Sequence, residues 1–461
     1  MRRHTLRWST LFGSEALILL GVVASSTYLK LGEQGWPSFL AHGGLAKAMV
    51  ITAVCQLCLY YCDLYDLRTV GGQRDLVARL LRALGATSLI LAGLYLVFPA
   101  LVIVNGVVLW ASALAIGLII SWRVAFNWFA QHAALHERIL IVGTNPAALG
   151  LARELYEGRH EFGVDIVGFV DSDDRRDLPL DVRHRIIGSV DDIPEIIRIH
   201  AVDRVVVSLR EARGKLPMDR LLEMKLNRGI KFDHLVSVYE RYTGKIAIEN
   251  LRPSWFIFSD GFTKSRVLRV TKRLVDIAAA AVGLVVAAPL MVIVALLVRL
   301  SSPGPVLYQQ NRVGRHGRVF TIRKFRSMRA DAEASTGAVW ASAHDSRITR
   351  TGRFLRMTRL DELPQLWNIL KGDMSLIGPR PERPEFVEML TRAIPFYGER
   401  HFIRPGLTGW AQVRYTYGAS VEDAMEKLQY DLFYLKNMSL TLDALIVFQT
   451  LKTVILRRGA A

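Results

Sequence analysis

Four long apolar runs open the chain, Leu11 to Leu31, Leu45 to Tyr65, Leu84 to Val104 and Val107 to Phe129. Each is close to the ~20 residues that a helix needs to cross a bilayer, so residues 1–137 are expected to form a four-helix transmembrane bundle. From Arg138 the pattern changes. Short β-rich runs, Ile139 to Val142, Ile166 to Val170, Arg204 to Ser208 and Ile230 to Asp233, alternate with helical stretches around Ala147 to Tyr156, Ile193 to His200 and Pro217 to Asn227. That alternation predicts a small doubly wound α/β domain over residues 138–236. An aromatic connector follows over 237–270, and a fifth apolar run, Leu274 to Leu300, opens the last region, 271–461.

The fifth run is long enough to span, yet Pro289 sits inside it, removing a helix hydrogen bond and bending the chain. Both flanks are basic, with Lys272 and Arg273 before it and Arg299 after it. A helix that enters one leaflet, bends at Ala288-Pro289 and returns keeps both flanks on the cytoplasmic side. A re-entrant hairpin over 274–300 is therefore expected in preference to a straight span, and it would hang the following residues at the membrane surface.

Basic residues also orient the first bundle. Arg2, Arg3 and Arg7 precede the first run, Arg68, Arg74, Arg79 and Arg82 lie between the second and third, and Arg138 follows the fourth. The positive-inside rule then puts both ends of the bundle, and all that follows, on the cytoplasmic side of the membrane. No cleavable signal is expected, since no small-residue cleavage site follows the first run. Glu15 and Arg123 are the ionisable residues well within these runs, too few to suggest a membrane-buried substrate channel. Cys55, Cys58 and Cys62 share one helical face without a fourth ligand nearby, which suits small packing residues.

Composition agrees with a membrane protein, and its basic excess suits nucleic acid, an anionic membrane face or phosphorylated substrates alike. The 461 residues are 51% hydrophobic, and the net charge of +17 gathers at membrane flanks and around carboxylates rather than on a nucleic-acid recognition element. In the α/β region the first turn, Gly143-Thr144-Asn145-Pro146-Ala147-Ala148, stands where a dinucleotide-binding G-x-G-x-x-G would lie, making the domain Rossmann-like. Asn145 and Ala148 replace the second and third glycines, so close approach to a pyrophosphate is not secured and a structural or regulatory role is expected first.

The last region holds six motifs in order: Ser301-Ser302-Pro303-Gly304-Pro305-Val306-Leu307-Tyr308-Gln309-Gln310-Asn311-Arg312-Val313-Gly314; Phe320-Thr321-Ile322-Arg323-Lys324-Phe325-Arg326-Ser327-Met328; Arg350-Thr351-Gly352-Arg353-Phe354-Leu355-Arg356; Leu360-Asp361-Glu362-Leu363-Pro364-Gln365-Leu366; Gly372-Asp373-Met374-Ser375-Leu376-Ile377-Gly378-Pro379-Arg380-Pro381; and Arg404-Pro405-Gly406-Leu407-Thr408-Gly409-Trp410-Ala411-Gln412-Val413. Together they resemble the bacterial sugar transferases, the monotopic polyprenol-phosphate phosphoglycosyl transferases, over about residues 270 to 456. The N-terminal half resembles the large, undecaprenyl-phosphate glucose phosphotransferase-like members. The connector Asn250 to Gly261 is similar to that of exopolysaccharide enzymes associated with exosortase systems. The resemblance implies a membrane-embedded mixed α/β catalytic domain, a UDP-sugar donor (glucose or galactose), an undecaprenyl phosphate acceptor, Mg²⁺ and a homodimer. It further implies two half-reactions through a covalent intermediate on Asp361.

Elementary chemistry supports that carry-over. Asp361-Glu362 ahead of Leu363-Pro364 reads as a helix start with Asp361 near the N-cap, where the dipole keeps a carboxylate ionised and favours an incoming phosphate. An ionised Asp can attack phosphorus. Asp361 and Glu362 are also the candidate Mg²⁺ ligands, Glu362 either holding the ion or orienting the dyad. Lys324, Arg326, Arg353, Arg356 and Arg380 are the candidate phosphate-binding cations, and Pro379 and Pro381 restrict the backbone that carries Arg380. Trp410 and Gln412 either lie near the nucleotide or serve as packing and capping residues. Gln429 to Leu456, ending in Arg457-Arg458, reads as an amphipathic surface helix or a packed one. The competing function is a non-catalytic membrane scaffold that senses nucleotide through its α/β domain.

Overall fold

In the computed structural model, which describes residues 2–41, 43–65, 73–101, 107–132, 137–157, 163–171, 185–208, 218–248, 251, 253–329, 347–415, 418 and 420–455, the first apolar run becomes helix α1 (Arg2–Ala41). Its path breaks at Gly32, with φ 66° and ψ −178°, ahead of Pro37. Helices α2 (Gly44–Tyr61), α3 (Gln73–Val97) and α4 (Val107–His132) follow. Thr10–Glu33, Gly44–Tyr61 and Asp75–Val97 are each long and apolar enough to cross a membrane. The third helix begins and ends earlier than the apolar pattern suggested. Pro99 opens a 3-10 turn (Pro99–Leu101) that stops it, while Asp75 and Arg79 pair at 2.9 Å and so let a charged turn join its start.

Helix α1 packs on α2 and α4, and α3 on α2 and α4, around Leu19, Leu59, Leu80 and Ile119. Cys55 and Cys58 are free thiols buried in this core and Cys62 packs against it, as small side chains suit. The two ionisable residues of the spans find each other: Arg123 Nε lies 2.7 Å from Glu15 Oε1 and Nη2 lies 3.1 Å from Oε2, with Glu15 fully buried. Arg123 Nη1 also donates to the Leu64 carbonyl. Arg68 lies outside the described residues.

The α/β region is built from β1 (Glu137–Val142), α5 (Pro146–Glu157), β2 (Val164–Val170), β3 (Ile186–Gly188), α6 (Ile193–Ile199), β4 (Arg204–Val207), α7 (Met218–Arg228), β5 (Lys231–His234) and α8 (Leu235–Thr243). All five strands are parallel in the order β3-β2-β1-β4-β5, the doubly wound arrangement expected. At the turn after β1, Asn145 Oδ1 accepts from Ala148 N at 2.9 Å and from Ser208 Oγ at 2.9 Å, while Asn145 Nδ2 donates to Ser208 O at 2.6 Å. The start of α5 is thus capped by its own turn and tied to the end of β4.

Residues 239–461 form a second compact unit. The segment read as a connector belongs to it: Tyr239 Oη donates to Gln429 Oε1, Lys436 pairs with Glu240 at 2.7 Å, and Phe256 of α9 (Pro253–Phe258) packs on Phe396. Asn250 and Arg252 lie outside the described residues. Helix α10 (Arg266–Ser301) carries the fifth apolar run and remains helical through Pro289. Then come β6 (Leu307–Val313) and β7 (Val319–Phe325), an antiparallel pair, α11 (Arg350–Met357), α12 (Gln365–Lys371), β8 (Ser375–Ile377), α13 (Pro384–Ala393), β9 (Gly406–Thr408), α14 (Trp410–Arg414), α15 (Val421–Asn437) and α16 (Leu440–Ile455). The closing stretch is therefore two helices. Helix α15 is a packed one, with Leu428, Tyr430, Leu432 and Tyr434 buried, whereas α16 exposes Leu445, Val447 and Leu451. Arg457 and Arg458 lie outside the described residues.

Both halves of α10 pack on this same unit. Before Pro289, Ala280 and Leu284 meet Ile322, Leu366 and Ile369; after it, Val294 and Val298 meet Phe325 and Leu355; Leu363 packs against both clusters. Polar contacts hold both ends. Arg273 donates to Ile369 O at 2.7 Å and Leu370 O at 2.8 Å, and Asp276 accepts from Ser375 Oγ and Leu376 N at 3.0 Å each. At the far end Arg326 Nη2 donates to Ser302 O at 2.7 Å.

The bundle pair yields a prediction. A single Glu15→Leu change leaves a guanidinium buried without its carboxylate, so it should lower stability by about 1–2 kcal/mol, whereas Glu15→Leu with Arg123→Leu should recover most of that. Thermal denaturation of the detergent-solubilised variants checks the ordering.

Candidate active site

Asp361 and Glu362 lie in a 3-10 turn (Leu360–Glu362) between α11 and α12, with Pro364, not Asp361, at the N-cap of α12. Arg359, just before the turn, has φ 57°. A left-handed backbone is costly for a residue other than glycine and is found where surroundings enforce it. Here it swings the chain back so that Arg359 Nη1 comes within 3.5 Å of Glu362 Oε1.

That oxygen also receives Lys324 Nζ at 3.1 Å and Arg380 Nη2 at 3.2 Å. Burial alone would raise the Glu362 carboxyl, but the charges of Lys324, Arg380 and Arg359 overcome it and hold the group well below the usual carboxylate range. Asp361 goes the other way. Burial, then the neighbouring Glu362 charge, push its carboxyl up against the pull of Lys324, Arg356 and Arg359. Asp361 is 6% exposed, and its Oδ1 has no hydrogen-bond partner among the described residues. Desolvation, rather than a helix dipole, sets its state.

Local folding explains how the cations arrive. Along β7 the side chains of Phe320, Ile322 and Lys324 share one face; Phe320 and Ile322 pack over α12, which directs Lys324 toward the dyad. Asn368 of α12 fixes the register of this contact, accepting from Arg323 N at 3.2 Å and donating to Thr321 O at 2.8 Å. Helix α11 can lie close because Gly352 has no side chain: a Cβ there would sit 1.9 Å from Ser327 O. Arg356, one turn on, donates through Nε to Ser327 Oγ at 2.9 Å and acts electrostatically on Asp361.

Other residues singled out by sequence are placed elsewhere. Arg326, 6% exposed, is engaged at the C-terminal end of α10 through Ser302 O, Ser302 Oγ and Val298 O. Arg353 is exposed on α11, and no contact joins it to the carboxylates among the described residues. Trp410 is 4% exposed, donates from Nε1 to Gly244 O at 2.9 Å and stacks on Phe433. Gln412 donates to Leu407 O at 3.4 Å. Both sit in the packing around β8 and β9. Sequence reasoning missed Arg359, whose only signal was a basic residue three before Glu362, and its positive φ cannot be read from residue type.

Among the described residues no three His, Cys, Asp or Glu stand together as a metal-holding group. A Mg²⁺ ion carried on a diphosphate needs only one or two protein carboxylates, with phosphate and water oxygens completing its octahedron. Asp361 Oδ1 fits that demand; Glu362 Oε1 is committed to three cations.

Residues 267–457 match the family described as bacterial sugar transferase, and residues 61–222 match one described as CoA-binding domain. An Aeromonas hydrophila UDP-N-acetylgalactosamine-undecaprenyl-phosphate N-acetylgalactosaminephosphotransferase is 43% identical over 56% of this chain, which spans 60% of that protein. A Xanthomonas campestris UDP-glucose:undecaprenyl-phosphate glucose-1-phosphate transferase is 32% identical over 74% of this chain and 72% of its own length. The exopolysaccharide production protein PSS of Rhizobium leguminosarum is 40% identical over 41% of this chain and 96% of its own length. At the first α/β turn, the amide of Ala148 is taken by Asn145, so this turn does not fit a pyrophosphate of CoA in the dinucleotide-binding manner.

The two carboxylates should respond oppositely to neutralisation. Asp361 has a raised folded pKa, so the folded state holds its proton more tightly and stability falls as pH rises from 3.8 through that value. Glu362 has a lowered one, so its contribution is present above 4.5 and lost as pH falls through the folded value. At pH 7.5 Asp361→Asn is expected to raise the thermal denaturation midpoint and Glu362→Gln to lower it.

Proposed function

We propose that this chain, which belongs to the bacterial sugar transferase family, transfers a sugar-1-phosphate from a UDP-sugar to undecaprenyl phosphate, releasing UMP, as the first step of exopolysaccharide or other surface-glycan assembly. The observation that carries the proposal is the buried, unpartnered Asp361 Oδ1 beside Lys324, Arg356 and Arg359, with Arg380 on the neighbouring Glu362. A carboxylate stripped of water is a stronger nucleophile than a hydrated one, and guanidinium forks suit a diphosphate. In the first half-reaction an Asp361 oxygen attacks the β-phosphorus of the donor, the bond to the bridging oxygen breaks, and UMP leaves with that oxygen. In the second, an oxygen of the polyprenyl phosphate attacks the same phosphorus and expels the Asp361 carboxylate intact.

Each residue has a task in this scheme. Lys324, Arg356 and Arg380 bind phosphate oxygens; Glu362 holds Lys324, Arg359 and Arg380 in place before substrate arrives. Mg²⁺, when bound through one Asp361 oxygen, supplies charge neutralisation of the diphosphate. An incoming anion would push the Asp361 carboxyl up further, and the charges of Lys324, Arg356 and Arg359 oppose that. Arg326, Trp410 and Gln412 are assigned to packing around this centre rather than to substrate.

We also propose that α10 is re-entrant and that the catalytic unit faces the cytoplasm. As a straight 36-residue helix it would extend ~54 Å, well beyond the ~30 Å hydrocarbon core. Contacts from both of its ends, and from both sides of Pro289, to one unit support its two ends lying on one side of the membrane, and the basic flanks support the cytoplasmic side. Glucose or galactose is the donor sugar that the family resemblance favours, and the relative named for N-acetylgalactosamine adds a third candidate. The homodimer rests on resemblance to large family members, and the exosortase association on the connector residues up to Gly261.

The detergent-purified chain, given undecaprenyl phosphate and Mg²⁺, should release UMP from one of UDP-glucose, UDP-galactose or UDP-N-acetylgalactosamine. Asp361→Asn should lower that rate by at least about 10³-fold, as loss of a nucleophile does. Without acceptor, a donor labelled in its β-phosphate should leave label on the wild type and none on Asp361→Asn. A folded wild type silent with every donor would favour the scaffold function instead.

A further inference from the structure

Residues 379–382 have no regular secondary structure, yet four successive carbonyls along them are held. Pro379 O accepts from Gly406 N at 2.9 Å, Arg380 O from Arg400 Nη2 at 3.0 Å, Pro381 O from Arg312 Nη1 at 3.0 Å, and Glu382 O from Val313 N at 2.9 Å. Two of the four donors are guanidinium groups. Arg400 is 6% exposed and its charge is met by Asp431, 2% exposed, at 2.8 Å, with Tyr397 Oη accepting from Nη1. Removing a guanidinium and a carboxylate from water costs several kcal/mol, and a water or a backbone amide would satisfy a carbonyl more cheaply. What a planar, doubly anchored guanidinium adds is a fixed position.

We propose that Arg400, held by Asp431, is a positioning residue for Arg380, with Arg312 acting the same way one carbonyl further on. Pro379 and Pro381 restrict the backbone on either side of Arg380, and the clamped carbonyls remove the torsional freedom the prolines leave. The root of the Arg380 side chain is thereby fixed, and its Nη2 stands 3.2 Å from Glu362 Oε1, where the donor diphosphate would be received. Arg400 itself touches no substrate; it acts through Arg380.

This inference rests on the transferase function proposed above, and the experiment separates the two. Arg400→Met with Asp431→Asn removes the ion pair without stranding either charge. In the full-length protein this pair of changes should slow single-turnover UMP formation by about 10–100-fold, the scale of a catalytic group displaced by ~1 Å, with the thermal midpoint close to wild type. In an Arg380→Ala background the same changes should cost less than about twofold, because what Arg400 positions is already gone. Equal losses in both backgrounds, or no loss in the first, would overturn the proposal. Should the pair of changes prevent folding, Arg400→Lys keeps a cation against Asp431 without the fork and should show the same dependence on Arg380. If the wild type forms no UMP, the transferase function falls, and amide exchange of residues 378–386 then decides positioning: faster exchange in the variant sustains it and unchanged exchange refutes it.

Discussion

Three cations from separate stretches of chain converge on Glu362 Oε1: Lys324 from β7, Arg359 from the turn before α12, and Arg380 from between two prolines. Left to themselves they would repel; at an effective dielectric near 20, like charges 4 Å apart cost about 4 kcal/mol. Glu362 turns that repulsion into a shared attraction and lets a cationic surface exist before any ligand arrives. The arrangement then carries a surplus of positive charge, which the diphosphate of the proposed donor would balance. Preorganisation of this kind places the reorganisation cost in folding rather than in the reaction.

Holding such a cluster requires a stiff frame, and apolar packing around α10 and α12 provides it. Leu363, immediately after the dyad, packs against clusters from both halves of α10, so the turn bearing Asp361 is pinned from below on two sides. Two glycines set the remaining distances. At Gly352 a Cβ would meet Ser327 O at 1.9 Å, and at Gly406 a Cβ would meet Gly378 N at 2.1 Å. The first allows α11 to bring Arg356 close, and the second allows β9 to support the loop that carries Arg380. Both motif glycines are, in the fold, points where backbones approach.

Elements with a strong period were legible in the sequence, and so was the dyad. The sheet of the α/β domain appeared strand by strand except for β3, whose three residues are too few to show a pattern. The third membrane helix was displaced because hydropathy sees apolar length but not the stop at Pro99 or the ion pair at its start. Charge type was legible while charge partner was not. Arg326 and Arg356 look alike in a motif, yet one is spent on the end of α10 and the other on Ser327 beside Asp361. Arg359 and Arg400 lie outside any phosphate motif, and only a left-handed turn and a long-range contact bring them to the centre.

Within the dyad, the state of a buried polar group separates structure from chemistry. Glu15 and Arg123 meet through two contacts, and Asn145 uses both atoms of its amide within its own domain. Such groups stabilise and specify; they offer nothing to a ligand without losing a bond. Asp361 and Glu362 are neighbours of the same chemical type and nearly the same burial, but one is saturated with cations and the other keeps a bare oxygen. Their roles are therefore not exchangeable. Turning Glu362 to attack phosphorus would strip three cations of their shared partner, whereas Asp361 can form and release a bond while the charge framework around it stays in place.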